Sequence, residues 1–78
     1  MNENKIIPKS SNVASYAYSP KRSVLTVEFK NGDVWEYEKV PPHIFEAMKK
    51  APSVGKFLHE RLKGYYDAFR VDPSEQAK

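Results

Sequence analysis

The segment around Gly32 constrains the fold of this chain more than any other feature. Residues 25–29 alternate apolar and polar side chains, which predicts a β-strand with one apolar face. Asn31 and Gly32 follow, and residues 34–38 alternate again. Two such segments around an Asn-Gly pair predict a β-hairpin.

The length of the turn decides which side chains share a face of this hairpin. A two-residue turn would place the apolar residues of the first strand beside Glu36 and Glu38, which is chemically unfavourable. A three-residue loop, Lys30-Asn31-Gly32 with Gly32 in the left-handed region as a G1 bulge, instead makes the apolar face continuous. The register that we predict pairs Val27 with Trp35 and Leu25 with Tyr37.

Further strand and helix signals flank the hairpin. Residues 13–18 predict a preceding strand, and residues 42–50 have the apolar periodicity of a helix. Pro52 ends that helix, Ser53 is a suitable N-cap for a second helix, and Gly64 marks its end. The predicted fold is α+β, a three-stranded antiparallel β-meander followed by two short helices packed on one face (βββαα).

The length of 78 residues limits the chain to one small domain. We expect flexible segments at 1–11 and 71–78 and a domain over 12–70, in which the aromatic segment 65–69 folds back on the sheet. The absence of cysteine excludes disulfides and favours an intracellular, cytoplasmic protein. No apolar run approaches the roughly 18 residues that span a bilayer, so no membrane partner is expected. The small core indicates that self-association to a homo-oligomer would add stability.

One ordered series of residues runs through the predicted strands and into the second helix: Tyr18, Leu25, Val27, Phe29, Gly32, Trp35-Glu36-Tyr37, Val40-Pro41, Ala51-Pro52-Ser53-Val54-Gly55 and Tyr65. This series, over about residues 11–69, resembles the KTSC domain family, named for the C-terminus of some lysyl-tRNA synthetases. The family's Tyr-x-Tyr signature stands here as Trp35-Glu36-Tyr37, which keeps the aromatic shape but loses a hydroxyl. The resemblance implies a small domain, often a stand-alone bacterial or phage protein, and the synthetase fusion suggests RNA binding.

The positive charge is concentrated in the helical half of the chain. Residues 49–70 contain six Lys or Arg against two Asp or Glu, whereas the chain as a whole has a net charge of +3. This excess predicts a basic face that neutralises phosphates, against the alternative of an ordinary solvated surface. The candidate nucleic-acid- or anion-binding residues are Lys49, Lys50, Ser53, Gly55, Lys56, Arg61 and Lys63.

The start of the second helix carries a separate hypothesis. Ser53, Gly55 and Lys56 would combine backbone donors, close approach and a full charge into an anion pocket, although the segment lacks the P-loop spacing. The alternative is an ordinary N-cap, with Gly55 making room for a packed neighbour. A helix-turn-helix interpretation is weaker, because this helix start offers one long donor to a base edge.

Arg61 falls at the centre of the apolar arc of the second helix if that helix is regular. We expect its stem to cross this arc to a carboxylate such as Glu36 or Glu38, with a functional groove as the alternative. The strand aromatics offer base-stacking faces, but a chain this small needs them for its core. These aromatics are Tyr16, Tyr18, Trp35 and Tyr37.

The sequence offers little for catalysis. His43 and His59 lie far apart without metal-ligand spacing, and no nucleophile elbow, zinc helix or nucleotide loop is present. We therefore predict no catalytic residues, no metal and no cofactor.

The leading hypothesis is a non-enzymatic module that binds RNA or another polyanion through its basic helical face. The first alternative is a protein-interaction module, for example a phage or mobile-element protein that blocks a host factor with an edge strand or aromatic patch. The second alternative is sequestration of a small anionic ligand, such as a nucleotide, at the helix start near Ser53.

Overall fold

Four antiparallel strands follow one another across the sheet in sequence order, β1-β2-β3-β4. The computed structural model describes residues 5–9 and 12–71. The strands are β1 (Val13–Ser19), β2 (Val24–Phe29), β3 (Val34–Tyr37) and β4 (Ala68–Val71). Between β3 and β4 lie α1 (Pro42–Lys50) and α2 (Val54–Phe57), and α2 continues into a π-helical turn (Leu58–Leu62). The α+β class, the meander and the two short helices are confirmed.

The bulged hairpin is formed as predicted. Strand β2 pairs with β3 through Val27 with Trp35 and Leu25 with Tyr37. Gly32 has φ 98, and its N–H donates to the Phe29 carbonyl over 2.9 Å, while the Phe29 N–H donates to the Asp33 carbonyl over 2.8 Å. Glycine adopts this left-handed backbone without the Cβ clash that other residues meet, so Gly32 sets the register.

Strand β4 was not predicted as a strand. It pairs with β3 along its whole length, and the Glu38 N–H extends the contact to the Asp67 carbonyl at 2.9 Å. The predicted return of residues 65–69 to the sheet is thus the approach to a fourth strand, which ends at Val71. Residues 1–4, 10–11 and 72–78 of the expected flexible segments lie outside the described residues. Within the N-terminal segment, Ile6 exchanges two backbone hydrogen bonds with Tyr16 at the outer edge of β1.

The core lies between one face of the sheet and the helices. Its members are buried side chains that form one cluster: Val13, Tyr16, Tyr18, Leu25, Val27, Tyr37, Val40, Ile44, Met48, Val54, Leu58 and Leu62. The Tyr18 hydroxyl donates to the Val40 carbonyl over 2.6 Å, and its ring stacks on Phe45 at 4.9 Å. Tyr16 and Tyr18 are therefore core residues, as the size argument favoured. No helix in the described ranges is long and apolar enough to cross a membrane.

The π-helical turn corrects the prediction for Arg61. The Lys63 N–H donates to the Leu58 carbonyl five residues back, over 2.8 Å. A π turn rotates less per residue than an α-helix, so Leu62 moves into the core at 0% exposure and Arg61 turns to solvent. The expected salt bridge to Glu36 or Glu38 is wrong: Arg61 has no carboxylate partner among the described residues, and Glu36 contacts Arg22 at 3.9 Å.

Candidate nucleic-acid-binding groove

A groove of about 640 Å³ opens between the helix-covered face of the sheet and the second helix. Strands β2, β3 and β4 form its base, α2 and the π turn form one side, and the turn after the helix closes one end. We call it the β3–α2 groove. Its lining residues are Asn12, Phe29, Trp35, Tyr37, Gly55, Lys56, Leu58, His59, Lys63, Gly64, Tyr66 and Ala68.

The floor of the groove is aromatic. Phe29 and Trp35 point to the same face because their strands are paired in the bulged register, and Tyr66 approaches from the chain segment before β4. All three are half-buried and pack against the core, so contacts with core side chains hold them in place. Tyrosine is protonated at neutral pH, and burial raises the pKa of Tyr37 further, so its hydroxyl adds no negative charge to the floor.

The rim of the groove is basic. Lys56, His59 and Lys63 are exposed, and their spacing of three and four residues brings them to one side of the helix. Within residues 5–9 and 12–71, neither lysine is paired with a carboxylate. Two ammonium groups above an aromatic floor give the site a positive potential and apolar contact area together.

The structure gathers some of the predicted site residues and separates others. Gly55, Lys56 and Lys63 line the groove together with Trp35 and Tyr37, the pair that stands in the family signature. The remaining four candidates do not line it, namely Lys49, Lys50, Ser53 and Arg61. The predicted basic helical face is thus divided between the groove rim and other surfaces.

Three of the four candidates that do not line the groove make contacts elsewhere on the helices. The Lys49 ammonium lies 3.2 Å from Glu46 and 4.8 Å from the centre of the Phe45 ring. The Arg61 guanidinium lies over Phe57 at 5.4 Å. The Ser53 hydroxyl accepts a hydrogen bond from the Lys56 N–H over 3.3 Å, which confirms the predicted N-cap. That N–H is therefore already satisfied, which weakens the case for an anion pocket at the helix start.

Several groove residues were missed by sequence reasoning. The sequence predicts no ligand contact for Phe29 or His59. It places Tyr66 in the segment that returns to the sheet without indicating a groove there, and it gives no site signal for Asn12 or Gly64. Gly64 has φ 87 in the turn that returns Tyr66 towards the sheet. The placement of Gly64 and Tyr66 depends on the pairing of β4 with β3, which sets Ala68 opposite Tyr37. A predicted fourth strand is the signal that would have found this side of the groove. Among the described residues, no group of three or more His, Asp or Glu side chains is placed to hold a metal ion.

Comparison with known proteins identifies the family to which this domain belongs. The model of the KTSC domain matches residues 9–66, about three quarters of the chain. The chain belongs to the KTSC domain family. The match includes every groove residue except Ala68, so the groove is part of the KTSC domain itself.

Relatives of this KTSC domain occur alone and inside larger proteins. A lysine–tRNA ligase of Nostoc sp. PCC 7120 is 39% identical over 59 residues, and that alignment covers 76% of this chain and 10% of the ligase. An uncharacterized protein of Stutzerimonas stutzeri is 33% identical over 69 residues, which is 87% of this chain and 97% of that protein. The chain thus spans about a tenth of the ligases that it matches.

A solved structure confirms the fold. The crystal structure of a KTSC domain protein from Yersinia pestis superposes with a TM-score of 0.83 at 24% identity, over 91% of this chain and 100% of the other.

Proposed function

We propose that this KTSC domain is a non-enzymatic RNA-binding module, with the β3–α2 groove as its binding site. The observation that carries the proposal is that two lysines without carboxylate partners in the described chain lie on the rim of an aromatic-floored groove. Lysines neutralise phosphates and aromatic rings contact bases, so this combination suits RNA better than a purely charged or purely apolar ligand. The similarity to a segment of lysine–tRNA ligases, whose substrate is an RNA, supports the same class of ligand.

The contribution of each residue follows from its position. Lys56 and Lys63 hold phosphates by charge, and His59 adds a hydrogen bond at the same rim. Lys49 contributes less, since Glu46 already lies 3.2 Å from its ammonium group. Because about two phosphates are neutralised, the affinity should fall roughly tenfold between about 50 and 200 mM salt, a modest dependence.

The test is a fluorescence-anisotropy titration of labelled tRNA, single-stranded RNA and duplex DNA at both salt concentrations. Three double variants each remove two positive charges. The rim variant, Lys56→Ala with Lys63→Ala, removes the lysines of the groove. The α1 variant is Lys49→Ala with Lys50→Ala. The control is Lys5→Ala with Lys21→Ala, because neither of these residues lines the groove.

The rim variant is expected to lose roughly tenfold or more in RNA affinity at about 50 mM salt and most of the salt dependence. The control is expected to change affinity only slightly, and the α1 variant to lie between the two. Equal losses in all three variants would assign the binding to net charge and overturn the groove as the site. No binding to any RNA at about 50 mM salt would overturn the proposed function.

A second candidate, a protein-interaction module, is favoured by one observation at the other side of the sheet. Strand β4 forms an edge of the sheet, and Phe69 on it is 54% exposed. A strand edge that is unpaired among the described residues, with an exposed aromatic side chain beside it, suits the addition of a partner's strand. Capture of a partner that is lost on Phe69→Ser, and that is insensitive to salt, would favour this candidate over RNA binding.

A further inference from the structure

We propose that the β3–α2 groove binds one unstacked nucleotide of a single-stranded RNA, with its base on Trp35 and its phosphate at the Lys56 and Lys63 rim. This inference rests on the proposed function and specifies the form of RNA that the site takes.

The arrangement of polarity with depth is the first argument. Trp35, Phe29 and Tyr66 are half-buried at the floor, whereas Lys56 and Lys63 are exposed at the rim. A nucleotide matches this arrangement of an apolar floor and a charged rim, since its apolar base face lies on one side of the sugar and its charged phosphate on the other. A ligand that offers phosphates alone would leave the aromatic floor without contact.

The size of the groove is the second argument. A volume of about 640 Å³ lies within the roughly 300–1,000 Å³ that small-molecule pockets occupy, and a nucleotide is a ligand of that class. Leu58 and Ala68 add apolar side chains to the lining of the groove, whereas Gly55 lines it without a side chain.

The geometry of nucleic acids is the third argument. In a duplex, each base face is covered by its neighbours and the base edges are paired, so no ring is available to a recessed floor. Single strands have bases that unstack and lie against aromatic side chains, and each such stacking contact has a substantial effect on affinity. The recessed position of Trp35 therefore selects a single strand over a duplex.

The chain contains one tryptophan and five tyrosines, so fluorescence excited at wavelengths that tyrosine does not absorb reports on Trp35 in this floor. The protein is titrated with a single-stranded oligoadenylate, with an RNA duplex of equal phosphate content and with inorganic phosphate. Quenching is expected from the oligoadenylate at the lowest concentration, with little from the duplex and none from phosphate. Equal quenching by duplex and single strand, or tighter binding of the duplex, would overturn the inference.

A substitution series separates stacking from fold stability. Trp35→Leu keeps the floor apolar, whereas Trp35→Tyr keeps it aromatic and restores the residue type of the family signature. By anisotropy, Trp35→Leu is expected to weaken single-stranded RNA binding roughly 5- to 150-fold, the range for losing one stacked base, and Trp35→Tyr to stay within about threefold of the parent chain. Circular dichroism and thermal unfolding of each variant show that the fold is retained.

The results distinguish the two proposals. Salt-dependent RNA binding that is lost on stripping the rim but unchanged in Trp35→Leu would leave the proposed function standing and reject the stacked base. Absence of RNA binding in the parent chain would reject both.

Discussion

Tyr18 shows how one hydroxyl joins the sheet to the helical half. It donates to the carbonyl of Val40, the last buried residue before α1, over 2.6 Å, and both residues are buried. A buried carbonyl that loses its donor costs about 1–3 kcal/mol. We expect Tyr18→Phe to lower the free energy of unfolding by about that amount, measured by urea denaturation. Tyr65→Phe is the control, because Tyr65 is 73% exposed and its hydroxyl makes no hydrogen bond to residues 5–9 or 12–71; its effect should stay within about 0.5 kcal/mol. Equal effects of the two variants would contradict this role for Tyr18.

The π-helical turn gives two neighbouring residues opposite environments, so their contributions to stability can be measured separately. It places Leu62 at 0% exposure and Arg61 on the surface beside Phe57. We expect Leu62→Ala to lower the free energy of unfolding by about 2–5 kcal/mol, since a cavity forms in the core. Arg61→Ala should cost about 1 kcal/mol or less, the size of an exposed cation–π contact. Thermal and urea unfolding of the two variants measure this order. The reverse order would indicate regular α-helical periodicity, in which residue 61 lies at the centre of the apolar arc.

The stability of the whole molecule should depend on pH in the alkaline range. Burial raises the pKa of Tyr16 and of Tyr37 above the usual value of about 10. Their folded state therefore holds protons that the unfolded chain releases, so this stability is present below about pH 10 and is lost as the pH rises further. Urea denaturation between about pH 8 and 11 should show a plateau followed by a decline. Substituting both residues by Phe should make that decline shallower, and an unchanged decline would assign it to other groups.

The hairpin and the helix cap were predictable because each depends on a few neighbouring residues. Gly32 and the alternation around it allow one register with a continuous apolar face, and that register is found. Ser53 after Pro52 is a local capping signal, and the hydroxyl does cap the helix. Such features are determined within about ten residues of sequence, where steric and hydrogen-bonding rules suffice.

The fourth strand, the π turn and the groove were not predictable in the same way. Residues 68–71 have one exposed aromatic and one arginine, and their strand exists because β3 offers an unpaired edge about 30 residues earlier. No residue pattern in the sequence indicates the π turn. A prediction based on regular α-helical spacing therefore puts Arg61 on the apolar side of the helix. Residue type alone indicated the lysines of the rim. The aromatic floor beside them depends on contacts between distant segments, which no local pattern specifies.

The two parts of the groove come from separate short segments of the chain. Residues 29–37 supply most of the floor, and residues 55–63 supply the rim. Substitutions in the hairpin change the shape of the floor and leave every cation in place, while substitutions in the helix change the charge and leave the floor intact. For the proposed RNA site, the hairpin would therefore set selectivity and the helix would set the strength of binding, so the two properties can be altered separately by substitution.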